Sequence, residues 1–364
     1  MTQVEATPAL VIDLVKVDRN LTRLAAYANE HEIAIRPHTK THKSLKMATR
    51  QLRAGAVGLT AAKVGEAEVM SAASRDLLIA YPAIDPYRTR RIAELARGVT
   101  TMRVAVDSAE GIDALAAAAR SAESTVGILV DLDIGFHRTG APTPAAALAL
   151  AQRVASHSTL TFDGIFFYPG HVWSPAAEQA EELKRIDALL AEAVDLMERA
   201  GLEVDIVSGG STPTAYQSHL ITKQTEIRPG TYIYNDMNET RAGFSTLDDC
   251  AATILCTVVS TAATDGKVVI DAGTKTLTSD RNVKFPDSGH GHVVEYPEAK
   301  ITRLSEEHGE VDVSLCAKRP KLGERLTVIP NHICPCVNLQ DSVWVRGESG
   351  ELTVMGVDSR GRLS

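Results

Sequence analysis

The feature that most constrains this chain is an alternation. From about residue 9 to 235, short β-branched runs are separated by longer amphipathic runs rich in Ala and Leu. The short runs are Ala9 to Ile12, Ile33 to Arg36, Val57 to Thr60, Leu77 to Ala80, Met102 to Val106, Gly127 to Asp131, Leu160 to Phe166, Val204 to Val207 and Glu226 to Ile227. Helical patterns fill the gaps; the longest runs from Ala176 to Ala200, opened by Ser174-Pro175 and ended by Gly201. Strands separated by helices pair in parallel, so the pattern calls for a parallel sheet flanked by helices. About eight such units, with no GxGxxG at the first strand-to-helix turn, favour a (β/α)8 TIM-type barrel over an open doubly wound sheet.

After about 240 the period changes. Runs at Ala252 to Val259, Lys267 to Ile270, His292 to Val294, Ala299 to Leu304, Val311 to Ser314, Arg325 to Ile329 and Ser342 to Arg346 follow one another without a long helix. The expected division is a barrel over 12–238 and a β-rich domain over 239–364, with residues 1–11 open to joining the latter. A chain of 364 residues, 44% apolar, is long enough to bury two cores. Its net charge of −8 argues against a nucleic-acid surface, and no apolar run reaches the length of a membrane span. Met1-Thr2-Gln3-Val4-Glu5 lacks the regions of a signal peptide, so a cytoplasmic location is expected, with neither membrane nor nucleic acid as partner. The five cysteines, at no disulfide-scaffold spacing, read as core thiols or metal ligands.

Barrel enzymes take their reactive groups from the C-terminal ends of the strands. Here those ends carry His38 and Lys40 in Arg-Pro-His-Thr-Lys-Thr-His-Lys, and Asp131, Asp133, His137 and Arg138 in Asp-Leu-Asp-Ile-Gly-Phe-His-Arg. Tyr168 and His171 follow in Tyr-Pro-Gly-His, Ser211 and Thr212 in Ser-Gly-Gly-Ser-Thr-Pro, and Arg228, Gly230 and Thr231 in Arg-Pro-Gly-Thr. Lys40 is the candidate for a lysine delivered into a pocket, on one face of an extended segment with His38. Thr41, His42 and Lys43 read as an ordinary loop that starts the next helix. Gly209 and Gly210 let backbone N–H groups approach an anion, Ser211 and Thr212 add hydroxyls, and Pro213 can open a helix whose N-terminus favours negative charge. Gly230 and Thr231 supply a second pair of donors. A lysine at an early strand end and a phosphate cradle at late ones are the two anchors that a pyridoxal 5′-phosphate enzyme requires. Separately, His332 and Cys334 stand two apart between Pro330 and Pro335, which on extended backbone puts both on one side. Imidazole and thiolate are a soft, zinc-favouring pair, although a His-x-Cys pair alone is more often without function.

As a set, these motifs resemble the fold-type III pyridoxal-phosphate enzymes with an alanine-racemase-like barrel, most closely the group of D-threonine aldolases and eukaryotic-type D-serine dehydratases. Thr7-Pro8-Ala9, Asp271-Ala272-Gly273, Ser305-Glu306-Glu307-His308-Gly309 and Pro330-Asn331-His332-Ile333-Cys334 extend the resemblance over almost the whole chain. It implies that Lys40 forms the Schiff base with the cofactor, that Arg138 lies near the phenolic oxygen, and that Arg228 faces the pyridine nitrogen. His38, Tyr168, Ser211, Thr212, Gly230 and Thr231 complete the expected cofactor set. It also implies a divalent metal, zinc, manganese or magnesium, on His332 and Cys334; some aldolase members carry a carboxylate where Cys334 stands. The expected activity is retro-aldol cleavage of a β-hydroxy-D-amino acid, D-threonine giving glycine and acetaldehyde, with His171 as the base. Dehydration of D-serine or 3-hydroxy-D-aspartate is the alternative, with Lys40 taking the Cα proton. A non-catalytic cofactor-homeostasis protein and an amino-acid racemase are kept as readings of other classes. The resemblance further implies a homodimer.

Overall fold

In the computed structural model, which describes residues 4–262 and 265–364, eight parallel strands form one sheet among the described residues. In spatial order they are Ala34–Ile35, Glu226–Ile227, Ile206–Gly209, Leu160–Phe166, Val126–Asp131, Thr101–Val106, Asp76–Ile79 and Leu59–Ala61. A parallel bridge between His38 and Thr60 joins the first strand to the last and closes the barrel.

Side chains alternate across each strand, and the alternation sorts the barrel into two layers. Leu77, Ile79, Val104, Ile128 and Val130 face outward into a large core shared with the helices, whereas Leu78, Ala105, Leu129 and Phe166 fill the interior. Helices cover the outside, and several begin where the sequence supplies a cap. Thr143 accepts from Ala146 N ahead of Pro144–Ala155, and Ser108 accepts from Gly111 N ahead of Ala109–Ser121.

The longest helical pattern differs from its expected form. Ala176–Glu178 is a separate 3-10 turn and the α-helix runs Ala180–Arg199, so Ser174-Pro175 does not cap it. The break is held by the buried Gln179, whose Nε2 donates to the carbonyls of Ser174 (2.9 Å) and Pro213 (3.1 Å).

A second compact unit comprises the N-terminal residues through Leu21, Thr41–Lys43 and Thr231–Arg360. Its mixed sheet runs Lys300–Leu304, Gly309–Asp312, Lys267–Ile270, Ala252–Ser260, Ala9–Asp13, Ser342–Arg346 and Leu352–Gly356. Arg325–Ile329 pairs with Ala252–Ser260 and with His292–Val293. Ala9–Asp13 thus belongs to this sheet, antiparallel to Ala252–Ser260 and parallel to Ser342–Arg346. Leu352–Gly356 and the short helix Ile333–Asn338 are elements that the sequence reading lacks. No helix among the described residues is long and apolar enough to cross a membrane.

Candidate active site

Lys40 stands in a single 3-10 turn, Thr39–Thr41, not on extended backbone, and it is exposed. The turn is pinned from below: Thr39 Oγ1 donates to Thr60 O (3.0 Å), Thr60 Oγ1 to Arg36 O (2.8 Å), and the Lys40 N–H to His38 Nδ1 (3.4 Å). An amine on a fixed turn at the end of a barrel strand is free to reach a ligand. The three residues that follow are no solvated loop. Thr41, His42 and Lys43 are buried, Lys43 has φ 51°, and its carbonyl accepts from Ser359 N at 3.0 Å. Burial at these positions comes from packing in the β-rich unit, which a local polar pattern cannot reveal.

Arg228 is buried at its strand end. Its Nη1 donates to Ser208 Oγ (2.6 Å), its Nη2 to the Phe167 carbonyl (2.8 Å), and the guanidinium lies 3.7 Å from the centre of the Phe166 ring. Burial lowers its pKa to about 10. In the same barrel, desolvation raises the Asp131 carboxyl to about 6 even though Thr139 Oγ1 donates to it at 2.8 Å. Arg138 lies over the rings of Phe136 (5.1 Å) and Tyr168 (4.7 Å), which meet edge to face.

The Ser208-Gly209-Gly210-Ser211 turn is tighter than its composition suggests. A Cβ on Gly209 would come within 2.0 Å of the Phe167 ring, and Gly210 has φ 82°. The Ser211 amide donates to Thr214 Oγ1 (3.1 Å), so this amide is already taken, and a 3-10 helix, Ala215–Leu220, follows where an α-helix opened by Pro213 was expected. Gly230 ends the barrel unit, and Thr231 begins a 3-10 turn, Thr231–Ile233, in the β-rich unit.

His171 has a partner that the sequence reading missed. Its Nε2 lies 2.8 Å from Glu182 Oε1, and Arg185 grips the same carboxylate through Nε (3.1 Å) and Nη2 (2.6 Å) while also donating to Ile134 O. Hydrogen bonding from Arg185, with that of His171, pulls the Glu182 carboxyl down to about 2. An ionised carboxylate only accepts, so Nε2 carries a hydrogen, and in the neutral ring the lone pair is then on Nδ1. That Nδ1 is buried without a hydrogen-bond partner among the described residues. In sequence, Glu181-Glu182 at a helix start looks like any solvated first turn.

In the β-rich unit, His332 is the extended N-cap of the helix Ile333–Asn338 and Cys334 lies in its first turn, which corrects the expectation of continuous extended backbone. The thiol is nevertheless within hydrogen-bonding reach of the imidazole. Asp236, fully buried, organises the pair. Its Oδ2 accepts from His332 Nδ1 and from Ile333 N, each at 3.0 Å, while Oδ1 accepts from Asn238 N (2.9 Å) and Glu239 N (3.2 Å) and caps the helix Met237–Arg241. With Nδ1 donating to Asp236, Nε2 is the ring nitrogen a metal would take, the arrangement usual for a metal-ligating histidine; without one, burial is outweighed by Cys334 and Asp236, which raise the imidazole pKa above its ordinary value. Cys334 Sγ also lies 3.3 Å from Thr41 Oγ1. The carboxyl of Glu239, in the same unit, is raised by burial and then by Asp236, and its Oε2 is buried without a partner among the described residues. Among the described residues no group of three or more His, Cys, Asp or Glu is placed to hold a metal.

These residues fit the two groups that the sequence suggests. An exposed lysine on a pinned turn and a buried arginine at another strand end suit pyridoxal phosphate; a thiol beside an imidazole whose other nitrogen is held by a carboxylate suits a soft divalent ion.

Residues 12–238 match the alanine racemase N-terminal domain family, and residues 251–346 match the putative serine dehydratase domain. The chain belongs to the alanine-racemase-like, fold-type III pyridoxal-phosphate family. It is 31% identical to a D-threonine aldolase of Arthrobacter sp, over 98% of this chain and 93% of that protein. The crystal structure of D-threonine aldolase from Filomicrobium marinum superposes with a TM-score of 0.90 at 30% identity, covering 99% of this chain and 97% of that one. Another structure with a TM-score of 0.90, at 27% identity over 96% and 97% of the two chains, is a D-threo-3-hydroxyaspartate dehydratase in which a cysteine is replaced by alanine, described as being in the metal-free form.

Proposed function

We propose that this chain is a lyase that cleaves β-hydroxy-D-amino acids by retro-aldol reaction, taking D-threonine to glycine and acetaldehyde. Full-length similarity to D-threonine aldolase supports the substrate class. The observation that carries the reaction type is the carboxylate-backed His171, whose Nδ1 is buried without a hydrogen-bond partner among the described residues.

Lys40 would hold pyridoxal phosphate through its aldehyde, with Arg228 at the ring nitrogen, Arg138 near the phenolic oxygen, and His38, Tyr168, Ser211, Thr212, Gly230 and Thr231 completing the set. His332 and Cys334 would hold the divalent ion. When bound, the cofactor supplies an electron sink for negative charge at Cα, and the ion supplies Lewis acidity toward the β-oxygen. His171 removes the β-hydroxyl proton, taking it on Nδ1, while Glu182 balances the positive charge that the ring then carries. Arg185 keeps Glu182 ionised and in place. Asp236 fixes the His332 tautomer and holds the ring and the following helix turn together.

Dehydration is the second reading, supported by the likeness to a D-threo-3-hydroxyaspartate dehydratase. There Lys40 takes the Cα proton, and the amino acid leaves as a keto acid and ammonia. Incubation with D-threonine and with D-serine separates the two. Glycine plus acetaldehyde from D-threonine is the expected outcome; pyruvate and ammonia from D-serine, with no glycine from D-threonine, would replace the aldolase reading by the dehydratase one. Exhaustive chelation is expected to abolish activity and added divalent ion to restore it.

A further inference from the structure

The barrel interior contains a line of charges that ends on Arg228 and whose other members the chemistry above does not use. Near the floor, Arg103 Nε donates to Asp163 Oδ2 (2.6 Å) and its Nη1 to Asp76 Oδ1 (3.2 Å). Arg36 then bridges Asp76 (2.6 and 3.2 Å) and Glu226 (2.9 and 3.1 Å). Ser208 Oγ donates to Glu226 Oε1 (2.6 Å), and Arg228 Nη1 donates to Ser208 Oγ (2.6 Å). The sign alternates at every charged group from Asp163 to Arg228. The line is also built in at cost to other positions. A Cβ on Gly58 would lie 2.1 Å from Arg36 Nη1, and one on Gly127 would lie 2.5 Å from Asp163 Oδ2. A register slip between Leu160–Phe166 and Val126–Asp131 leaves Asp163 out of the strand pairing.

Exposure divides the line in two. The Asp163, Arg103 and Asp76 side chains retain 18%, 17% and 32% of their surface, whereas Arg36 and Glu226 retain 3% and 5%, and Ser208 is fully buried. At the buried end the direction of each hydrogen bond is determined. Glu226 can only accept and Arg228 can only donate, so the single Ser208 proton points to Glu226 and its lone pairs point to Arg228. A guanidinium this deeply buried needs such an acceptor, because a charged donor left unsatisfied there is strongly unfavourable.

We propose that Ser208 and Glu226 are positioning residues for Arg228, holding its guanidinium charged and in one orientation so that it sets the electron demand of the ring bound above it. Arg36 neutralises Glu226 through its Nε. The proposal rests on the reading that pyridoxal phosphate binds at Lys40 with its ring nitrogen toward Arg228. It assigns the upper and lower halves of the line different work. The lower half, from Asp163 to Arg36, fills the barrel floor, and the upper half acts on the cofactor.

Cofactor titration of the apoprotein, followed in the near-visible band with its pH dependence, is run on wild type, Ser208→Ala, Glu226→Gln and Asp163→Asn. Ser208→Ala is expected to weaken pyridoxal phosphate binding by about tenfold, the scale of one hydrogen bond to a charged group, and to shift the band or its titration. Glu226→Gln, which keeps the side-chain shape, should act in the same direction, and Ser208→Thr, which restores the hydroxyl, should return the wild-type spectrum. Asp163→Asn should lower the melting temperature without changing spectrum or affinity. If Ser208→Ala and Glu226→Gln both bind the cofactor with wild-type affinity, band and pH titration, the inference is overturned and the line is only a structural plug. A wild-type protein that gives no band at all overturns the Lys40 reading as well, so the two failures are distinguishable.

Discussion

The barrel unit and the β-rich unit hold the groups proposed as reactive in different ways. In the barrel each group stands on its own strand end: Lys40 after Ala34–Ile35, His171 after Leu160–Phe166, and Arg228 after Glu226–Ile227. Parallel register fixes the backbone beneath them, as in Ser208 opposite Glu226 and Gly209 opposite Ile227. In the β-rich unit a single carboxylate does most of the holding. Asp236 positions the His332 ring, binds the first amide of the following helix and caps Met237–Arg241, so site and fold share the same two oxygens. Side chains on separate strands can be removed one at a time without unmaking the scaffold. Side chains gathered by one buried anion cannot.

The largest effect expected from this contrast is at the ligand pair. Replacing His332 or Cys334 by Ala should abolish stoichiometric metal and lower aldol cleavage by on the order of 10³-fold, the loss of several kcal/mol of Lewis-acid stabilisation. The cofactor band, which depends on the barrel, should survive. Metal analysis and an absorbance spectrum of the same sample check both; a variant that loses the band but keeps its metal would break the division of labour. Asp236→Asn should weaken metal binding by about 10–100-fold, as removal of a ligand's supporting partner does. Because it also caps a helix, the same change should cost about 1 kcal/mol in urea unfolding. Full metal affinity in that variant would show that His332 orients itself.

In the barrel, Glu182→Gln should reduce kcat by about tenfold with KM little changed, because it touches the base and not substrate binding. An unchanged kcat would remove Glu182 from the mechanism. The smallest effect is a slope. Asp131 is raised from its ordinary 3.8 to about 6 in the folded barrel. The folded state therefore binds more protons than the unfolded chain between those values, and stability from this group is full below pH 3.8 and lost as pH rises through 6. Asp131→Asn should flatten the fall in the urea midpoint between pH 4 and 6.5, and parallel profiles for the two proteins would count against a buried, protonating Asp131.

The barrel was legible because its signals repeat. Leu160–Phe166 and Glu226–Ile227 form where the apolar runs predict them, and the polar residues that follow each run lie at the strand ends. What the sequence hid was long-range. Glu182 is eleven residues from His171 in a run of surface-like acids; Ser208 and Glu226 are joined only by strand register; Asp236 reaches His332 across 96 residues. Lys43 reads as a solvated loop residue and is buried, because its surroundings come from Ser359 and its neighbours in the β-rich unit. Local pattern specifies which face of an element is apolar, but a hydrogen bond between distant polar residues leaves no period to read.

The central claim, that Lys40 is the cofactor-bearing lysine, is tested most directly by adding pyridoxal phosphate to the purified apoprotein and to Lys40→Ala, then reducing each with borohydride. The account predicts a band at about 410–420 nm in wild type, the region expected of a lysine-linked pyridoxal, with the reduced adduct mapping to the Lys40 peptide, and neither in the variant. A band of equal strength in Lys40→Ala, with the adduct on another lysine, would contradict it.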